Sequence, residues 1–125
     1  METLIIERTE DSPQVILNTT DNILELSGRS LPEDVNTFYE PVISWIEEYA
    51  KNPMENTVFN FKLTYFNTAS SKVILDILTQ FEEMIEEGHH VLVRWHFPNE
   101  DEDMQEAGEE YADMVDVPFE MVSYT

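Results

Sequence analysis

Three hydroxyl side chains and one lysine fall within a segment of six residues, Asn67 to Lys72, in a chain of 125 residues. The hydroxyls belong to Thr68, Ser70 and Ser71. A hydroxyl can accept a phosphoryl group, which adds about two negative charges and three strong hydrogen-bond acceptors. Asn67, Thr68 and Ser70 are also helix-capping types, because a side-chain oxygen can accept an unpaired amide of the first turn. Residue type therefore leaves two hypotheses, a modification site and a helix cap, and by itself favours the cap.

The segment joins a predicted strand to a predicted helix. Residues 57–66 alternate between apolar and polar side chains, which is typical of a half-buried strand. From about residue 70 to residue 87, apolar side chains recur at three- and four-residue steps, which predicts a helix. The start of a helix exposes free amides and the positive end of its dipole, so a phosphate on Thr68 would be stabilised there. Lys72 lies within the first helical turn and adds a cation.

The remaining elements predict a mixed sheet. Short apolar runs at residues 3–9, 14–18 and 23–26, separated by turn sequences, predict antiparallel strands, and residues 28–34 predict a loop. A helix near residues 35–50, strands at 90–97 and 118–124, and a helix that ends near residue 115 complete the series. Alternating helices and strands predict parallel strands with helices covering the sheet. We expect one α/β domain over residues 1–125, with the antiparallel strands at one edge.

The charge balance excludes several classes of partner. Six basic residues against 27 acidic ones give a net charge of −21. Such a field repels nucleic acids and anionic lipids, because binding to both depends on Lys and Arg. We therefore expect no nucleic acid and no membrane among the partners. No apolar run reaches the roughly 20 residues of a membrane span, and the N-terminus lacks a secretory pattern, so a cytoplasmic location is expected.

Neither an active site nor a metal or cofactor site is predicted. The chain has no cysteine, no Gly-x-Ser-x-Gly elbow and only three glycines, which leaves no phosphate-cradling loop. The spacing of calcium-loop ligands is matched by Asn99, Asp101, Asp103 and Glu110. The sixth position of that loop requires glycine and is Met104 here, so we interpret these carboxylates as a solvated helix start. We expect no catalytic residue, no metal ligand and no cofactor.

The stretch from Leu63 to Ile77, with the sequence LTYFNTASSKVILDI, is similar to the core motif of the SiaC family of bacterial regulatory phosphoproteins. That motif consists of an apolar strand, then Asn-Thr-small-Ser, then an apolar helix. The family's first helix is matched by residues 30–33 with 38–47, and its following strand is matched by residues 91–96. The family's end is matched by residues 117–119 with the acidic helix before them. The resemblance covers nearly the whole chain.

The resemblance implies a phosphorylation switch. The phosphoacceptor threonine of the family corresponds to Thr68, and the fold is expected to be like that of the STAS domains of anti-sigma-factor antagonists. A kinase with a histidine-kinase-like ATPase fold is expected to add the phosphate, and a PP2C-type phosphatase is expected to remove it. The unmodified form is expected to bind a downstream target, which in family members can be a diguanylate cyclase.

The surface around the switch is predicted to bind partners. Its residues are Tyr65, Phe66, Asn67, Ser70, Ser71 and Lys72. Lys72 replaces the glycine that follows two serines in typical STAS proteins, so the resemblance favours Thr68 over either serine as the acceptor. The alternative hypothesis is a structural or scaffolding interaction domain without a switch, in which Asn67 and Thr68 only cap the helix.

Overall fold

The computed structural model describes residues 1–125 as one six-stranded sheet with three helices. The strands are β1 (Leu4–Ile6), β2 (Gln14–Asn18), β3 (Ile23–Ser30), β4 (Asn56–Phe66), β5 (His90–Pro98) and β6 (Phe119–Tyr124). The helices are α1 (Val35–Tyr49), α2 (Thr68–Glu86) and α3 (Glu102–Met114). None of the helices combines the length and the apolarity that crossing a membrane requires.

The strands lie in the sheet in the order in which the chain makes them, β1 to β6. β1, β2 and β3 pair antiparallel, and β3, β4, β5 and β6 pair parallel. Neighbouring parallel strands need crossover connections, which α1, α2 and α3 supply. Right-handed crossovers between strands in sequential order place all three helices on one face. The predicted mixed α/β sheet, with antiparallel strands at its amino-terminal edge, is therefore confirmed.

The helix-facing side of the sheet carries the core. In β4, Phe59, Phe61 and Leu63 are buried, whereas Asn60 and Lys62 alternate with them and point to the open side. Each helix adds a buried apolar stripe, and 26 buried apolar residues form one cluster. The carboxyl ends of β3 and β4 and the start of α2 meet at one edge of this core.

β3 is longer than the sequence predicts, and β1 is shorter. Residues 28–30 continue β3 instead of forming a loop, because they pair with β4. The sequence predicts a loop here because glycine is common in loops and because the pairing of residues 28–30 with the distant β4 leaves no local pattern. Gly28 has φ +100°, a left-handed conformation that glycine adopts without strain. β1 covers residues 4–6 of the predicted 3–9.

Candidate modification site and adjacent groove

Asn67 caps the start of α2. Its backbone is extended, and its side-chain Oδ1 accepts a hydrogen bond of 2.9 Å from the amide of Ser70. The amide of Asn67 donates to the carbonyl oxygen of Ser30 at 3.1 Å, which joins the helix start to the end of β3. α2 therefore begins at Thr68, two residues earlier than the apolar stripe indicates.

Thr68 is the first helical residue and is exposed to solvent. Its hydroxyl makes no hydrogen bond within the protein, and neither the Thr68 amide nor the Ala69 amide has a protein partner. The two capping candidates therefore differ in what they do. Asn67 caps the amide of Ser70, and the Thr68 hydroxyl is accessible beside two free amides.

Ser70 is fully buried, so the prediction that it belongs to the partner-binding surface is wrong for this conformation. Its hydroxyl accepts a hydrogen bond of 2.8 Å from the hydroxyl of Ser30, which lies 2.6 Å from the hydroxyl of Tyr39 in α1. Since Ser30 has one hydroxyl proton and donates it to Ser70, Tyr39 is the donor to Ser30. Burial raises the pKa of Tyr39 to about 12. This chain of hydroxyls connects β3, α1 and the first turn of α2 beneath Thr68.

The periodicity of α2 contains the signal for Ser70. The buried residues Val73, Ile74 and Ile77 follow Ser70 at three, four and seven positions. That spacing is one helical face, so the apolar stripe extends back to Ser70 and turns its side chain inward. The residue type, which favours exposure, conceals this position.

A groove lies between α2 and α3 on the face that Thr68 shares. Along α2, Thr68, Ser71, Lys72 and Leu75 stand at positions i, i+3, i+4 and i+7, which form one helical face. A separate cavity of about 290 Å³ lies outside this groove, at the amino-terminal ends of β4 and β5. The cavity in the groove has a volume of about 230 Å³. Its lining is Phe66, Ser71, Lys72, Leu75, Ala107, Glu110, Tyr111 and Met114.

A second cavity continues the groove on the other side of Phe66. Its volume is about 240 Å³, and its lining is Thr64, Tyr65, Phe66, Asp101, Asp103, Met104 and Ala107. Phe66 and Ala107 line both cavities. We call the two cavities together the Phe66 groove. Tyr65 is 48% exposed at one end, and Met114 is 60% exposed at the other.

A register shift in the sheet gives Tyr65 its position. Gly28 pairs with Leu63, but Arg29 pairs with Tyr65, so β4 has one extra residue, Thr64, at this point. Such a bulge changes the direction of the side chains that follow it. The guanidinium carbon of Arg29 lies 5.9 Å from the centre of the Tyr65 ring, within the range of a cation–π contact.

Contacts with Trp95 set the position of α3, which forms one wall of the groove. The indole nitrogen of Trp95, a fully buried residue of β5, donates to the carbonyl oxygen of Met104 at 2.9 Å. A Cβ atom on Gly108 would clash with Cδ1 of the Trp95 ring, so glycine permits the close approach. The hydroxyl of Tyr111 donates to the carbonyl oxygen of Ser71 at 2.8 Å and connects the two walls. Burial raises the pKa of Tyr111 above its ordinary value.

The rim of the Phe66 groove is acidic. Asp101, Asp103 and Glu110 line it, whereas Lys72 is its one cation. Lys72 forms no ion pair; the ion pairs of the protein join other residues. Asp101 caps α3 by accepting from the amide of Met104 at 3.0 Å, so this carboxylate has the expected helix-start role.

Four of the six residues predicted to bind partners line the groove: Tyr65, Phe66, Ser71 and Lys72. Their role in binding stays a prediction. The sequence reasoning missed the wall that α3 contributes, above all Ala107 and Met114. Ala107 belongs to the stripe that predicts α3, but the stripe does not indicate that α2 lies across from it.

In this mixed sheet, a central strand is followed by a helix whose first residue carries a free hydroxyl. This is the architecture expected of a phosphorylatable regulatory domain. The chain belongs to the SiaC family of regulatory phosphoproteins, whose family model matches residues 6–124. An uncharacterized protein of Pseudomonas aeruginosa (strain UCBPP-PA14) is 30% identical over 119 residues, which are 95% of this chain and 94% of that protein.

Two solved structures extend the comparison. SiaC of Pseudomonas aeruginosa superposes with a TM-score of 0.89 at 27% identity, covering 99% of this chain and 100% of that one. SiaC in the complex of the diguanylate cyclase SiaD with its activator SiaC, from the same organism, superposes with a TM-score of 0.91 at 29% identity. That match covers 97% of this chain and 99% of the other. In that structure the relative is the activator of the diguanylate cyclase and is in complex with it.

Proposed function

We propose that this protein is a cytoplasmic regulatory protein without catalytic activity of its own, switched by phosphorylation of Thr68. In its unmodified form it binds and controls a downstream signalling protein, a diguanylate cyclase. A kinase with a histidine-kinase-like ATPase fold adds the phosphate, and a PP2C-type phosphatase removes it. One observation supports the proposal above all: the Thr68 hydroxyl is exposed and unbonded at the first position of α2, beside two unpaired amides.

The local electrostatics favour a phosphate at this position. Free amides and the helix dipole stabilise an anion at a helix start by about 0.3–1 kcal/mol. Lys72, four residues along the same face, lies within reach, since Cβ atoms at this spacing are about 5–6 Å apart. Because Lys72 has no carboxylate partner, its ammonium group is available to the phosphate.

The position next to the Phe66 groove supplies a mechanism for the switch. A phosphate on Thr68 would stand on the face of α2 that also carries Ser71, Lys72 and Leu75, which line the groove. A partner that covers Thr68 would have to strip water from a dianion, and an incompletely compensated buried charge costs several kcal/mol. Phosphorylation is therefore expected to release the partner, and dephosphorylation to permit binding.

The capping geometry also bears on the scaffolding alternative. In that hypothesis Asn67 and Thr68 serve only to cap α2. Asn67 performs the capping alone, so the exposed Thr68 hydroxyl has no structural role in this conformation. This favours the switch over the scaffold.

Intact-mass measurement with the partner kinase and ATP tests the proposal. The wild-type protein is expected to gain one phosphate, mapped to Thr68 by fragmentation, and the PP2C-type phosphatase is expected to remove it. Thr68→Ala should gain none, and Ser71→Ala, the matched control one turn along the same face, should be labelled like the wild type. Stoichiometric labelling of Thr68→Ala, or no labelling of the wild type by a kinase active on itself or another substrate, would contradict the proposal.

A further inference from the structure

We propose that a cavity on the uncovered face of the sheet binds a small phosphate monoester that carries hydroxyl groups. Sugar phosphates and the ribose phosphate of nucleotides share this chemistry. The cavity has a volume of about 670 Å³ and is lined by Ser27 of β3, so we call it the Ser27 cavity. Neither Thr68 nor any other residue of α2 lines it, so its role is separate from the proposed switch.

Most basic residues of this acidic protein lie on the sheet face that the helices leave uncovered. The chain has six basic residues in all. Three of them alternate along their strands with buried residues and therefore point away from the core: Arg29 in β3, Lys62 in β4 and Arg94 in β5. Arg8 reaches the same face, because its guanidinium donates to the hydroxyl of Ser27 at 3.0 Å.

Three of these cations surround Ser27. Nη2 of Arg8 donates to Ser27 and also to Oε1 of Gln14, at 3.3 Å. Lys62 pairs with Ser27 in the register of β3 and β4, and neighbouring strands lie about 4.8 Å apart. Arg29 lies two residues further along the same face of β3, about 6.6 Å away along the strand. The positive charge is therefore gathered at one place on the sheet.

Both arginines have N–H groups available to a ligand. The hydrogen bonds of Arg8 use Nη2 alone, so the three N–H groups on Nε and Nη1 have no partner in the protein. The guanidinium of Arg29 lies 5.9 Å from the centre of the Tyr65 ring, and neither arginine forms an ion pair. Lys62 pairs with Glu25 at 3.0 Å. Because guanidinium N–H groups match the spacing of phosphate oxygens, the two arginines are suited to bind a phosphate.

The remaining lining is suited to hydroxyl groups. No apolar side chain lines the Ser27 cavity, so an apolar group of a ligand has no surface to pack against. The hydroxyls of Ser27 and Thr64 and the carboxylates of Glu10 and Asp11 can bond to ligand hydroxyls. The amide of Leu31 donates to the carbonyl oxygen of Asp11 at 2.8 Å, which joins the loop before β2 to the end of β3. The carboxylates are therefore carried on a loop that is attached to the sheet.

The charge of the whole protein favours a small anion over an acidic macromolecule. At a net charge of −21, repulsion increases with the charge of the partner, so an acidic protein segment is strongly disfavoured. A phosphate monoester has only one or two charges, and salt screens distant carboxylates beyond about 8 Å at physiological ionic strength. Within the cavity three cations outnumber two carboxylates, so the local field attracts the anion.

Titration of isotope-labelled protein at constant ionic strength tests the site. Ribose 5-phosphate should shift the amide resonances of Ser27 and Arg29 and saturate in the millimolar range or below, whereas ribose should not. Guanosine monophosphate should bind with similar affinity, which assigns a sugar phosphate, and binding about tenfold tighter would assign a nucleotide as the ligand. The absence of shifts at these residues with either ester, or equal shifts with ribose, would overturn the proposal. Tighter binding of a short polyglutamate peptide to this face would also overturn it, in favour of an acidic protein segment.

Charge-matched variants locate the phosphate. Arg8→Gln and Arg29→Gln should each raise the Kd of ribose 5-phosphate about tenfold or more, because each removes charge-assisted hydrogen bonds. Lys51→Gln, which removes an exposed cation beyond α1, should change the Kd less than about twofold. Lys72→Gln should behave like Lys51→Gln, and a loss in Lys72→Gln comparable to that in Arg8→Gln would place the anion at the start of α2 and overturn the assignment.

Folding of the variants is checked by circular dichroism. Arg29 makes no hydrogen bond within the protein, so Arg29→Gln stays informative if loss of the Arg8 bonds disturbs Arg8→Gln. Wild-type affinity of a folded Arg29→Gln protein would refute the site. Thr68→Ala should bind ribose 5-phosphate like the wild type, so failure of this site and failure of the switch are separate results.

The loop carboxylates are tested by selectivity. Glu10→Ala and Asp11→Ala remove acceptors for ligand hydroxyls and also remove repulsion of the phosphate. Each should therefore bind inorganic phosphate at least as well as the wild type but lose about threefold or more of the preference for ribose 5-phosphate over inorganic phosphate. An unchanged preference in both variants would refute the recognition of ligand hydroxyls.

Discussion

Replacing Gly108 by alanine should destabilise the protein, although alanine favours helices. The added Cβ would clash with Cδ1 of Trp95 and would stand 2.7 Å from Cγ and Nε1 of the same ring. Trp95 is fully buried, and its ring contacts those of Phe61 and Tyr111, so it has no free space to enter. Overpacking of this kind costs about 1–3 kcal/mol, and displacement of α3 also strains the hydrogen bond from Trp95 to Met104, worth about 1 kcal/mol.

The opposing term is helix propensity, which favours alanine over glycine by about 1 kcal/mol. The net loss is therefore about 2 kcal/mol, with a fall in Tm of about 6–12 °C for a domain of this size. Urea denaturation followed by tryptophan fluorescence measures the change, and Glu109→Ala, an exposed neighbour on α3, is the matched control. Gly108→Ala unfolding at the wild-type urea concentration or higher would refute the proposed contact, because propensity alone would then explain the result.

Three further outcomes are expected. Asn67→Ala should lose about 1 kcal/mol of stability while Asn67→Asp keeps the cap; equal stability of all three proteins in urea would contradict the capping role. Thr68→Ala should remain within about 0.5 kcal/mol of the wild type, and a larger loss would mean that its hydroxyl is structural. Tyr39 has a pKa of about 12 in the folded protein against an ordinary value of 10. Its contribution to the free energy of unfolding is therefore complete below pH 10 and is lost as the pH rises towards 12. Tyr39→Phe removes this titration, so its free energy of unfolding should fall by about 2–3 kcal/mol less between pH 10 and pH 12 than that of the wild type. An equal fall in both proteins would argue against this titration.

The amino-acid sequence determined the elements whose pattern is local. Alternation in residues 57–66 and the apolar stripe after residue 70 arise from the geometry of a single strand or helix, so they can be recognised without knowledge of the neighbours. The position of Thr68 between these elements follows from the same patterns. Its assignment as the acceptor depended on the family resemblance, since residue type alone favoured a cap.

Only the tertiary structure decided which groups the polar residues contact and what surface surrounds them. Ser70 and Thr68 are similar residues two positions apart, yet one faces the hydroxyl of Ser30 in β3 and the other faces solvent. The Phe66 groove requires β4, α2 and α3 to meet, and the contact of Gly108 with Trp95 sets how closely α3 approaches the sheet. These features depend on distances between segments that lie far apart in the chain, which no pattern within one segment can encode.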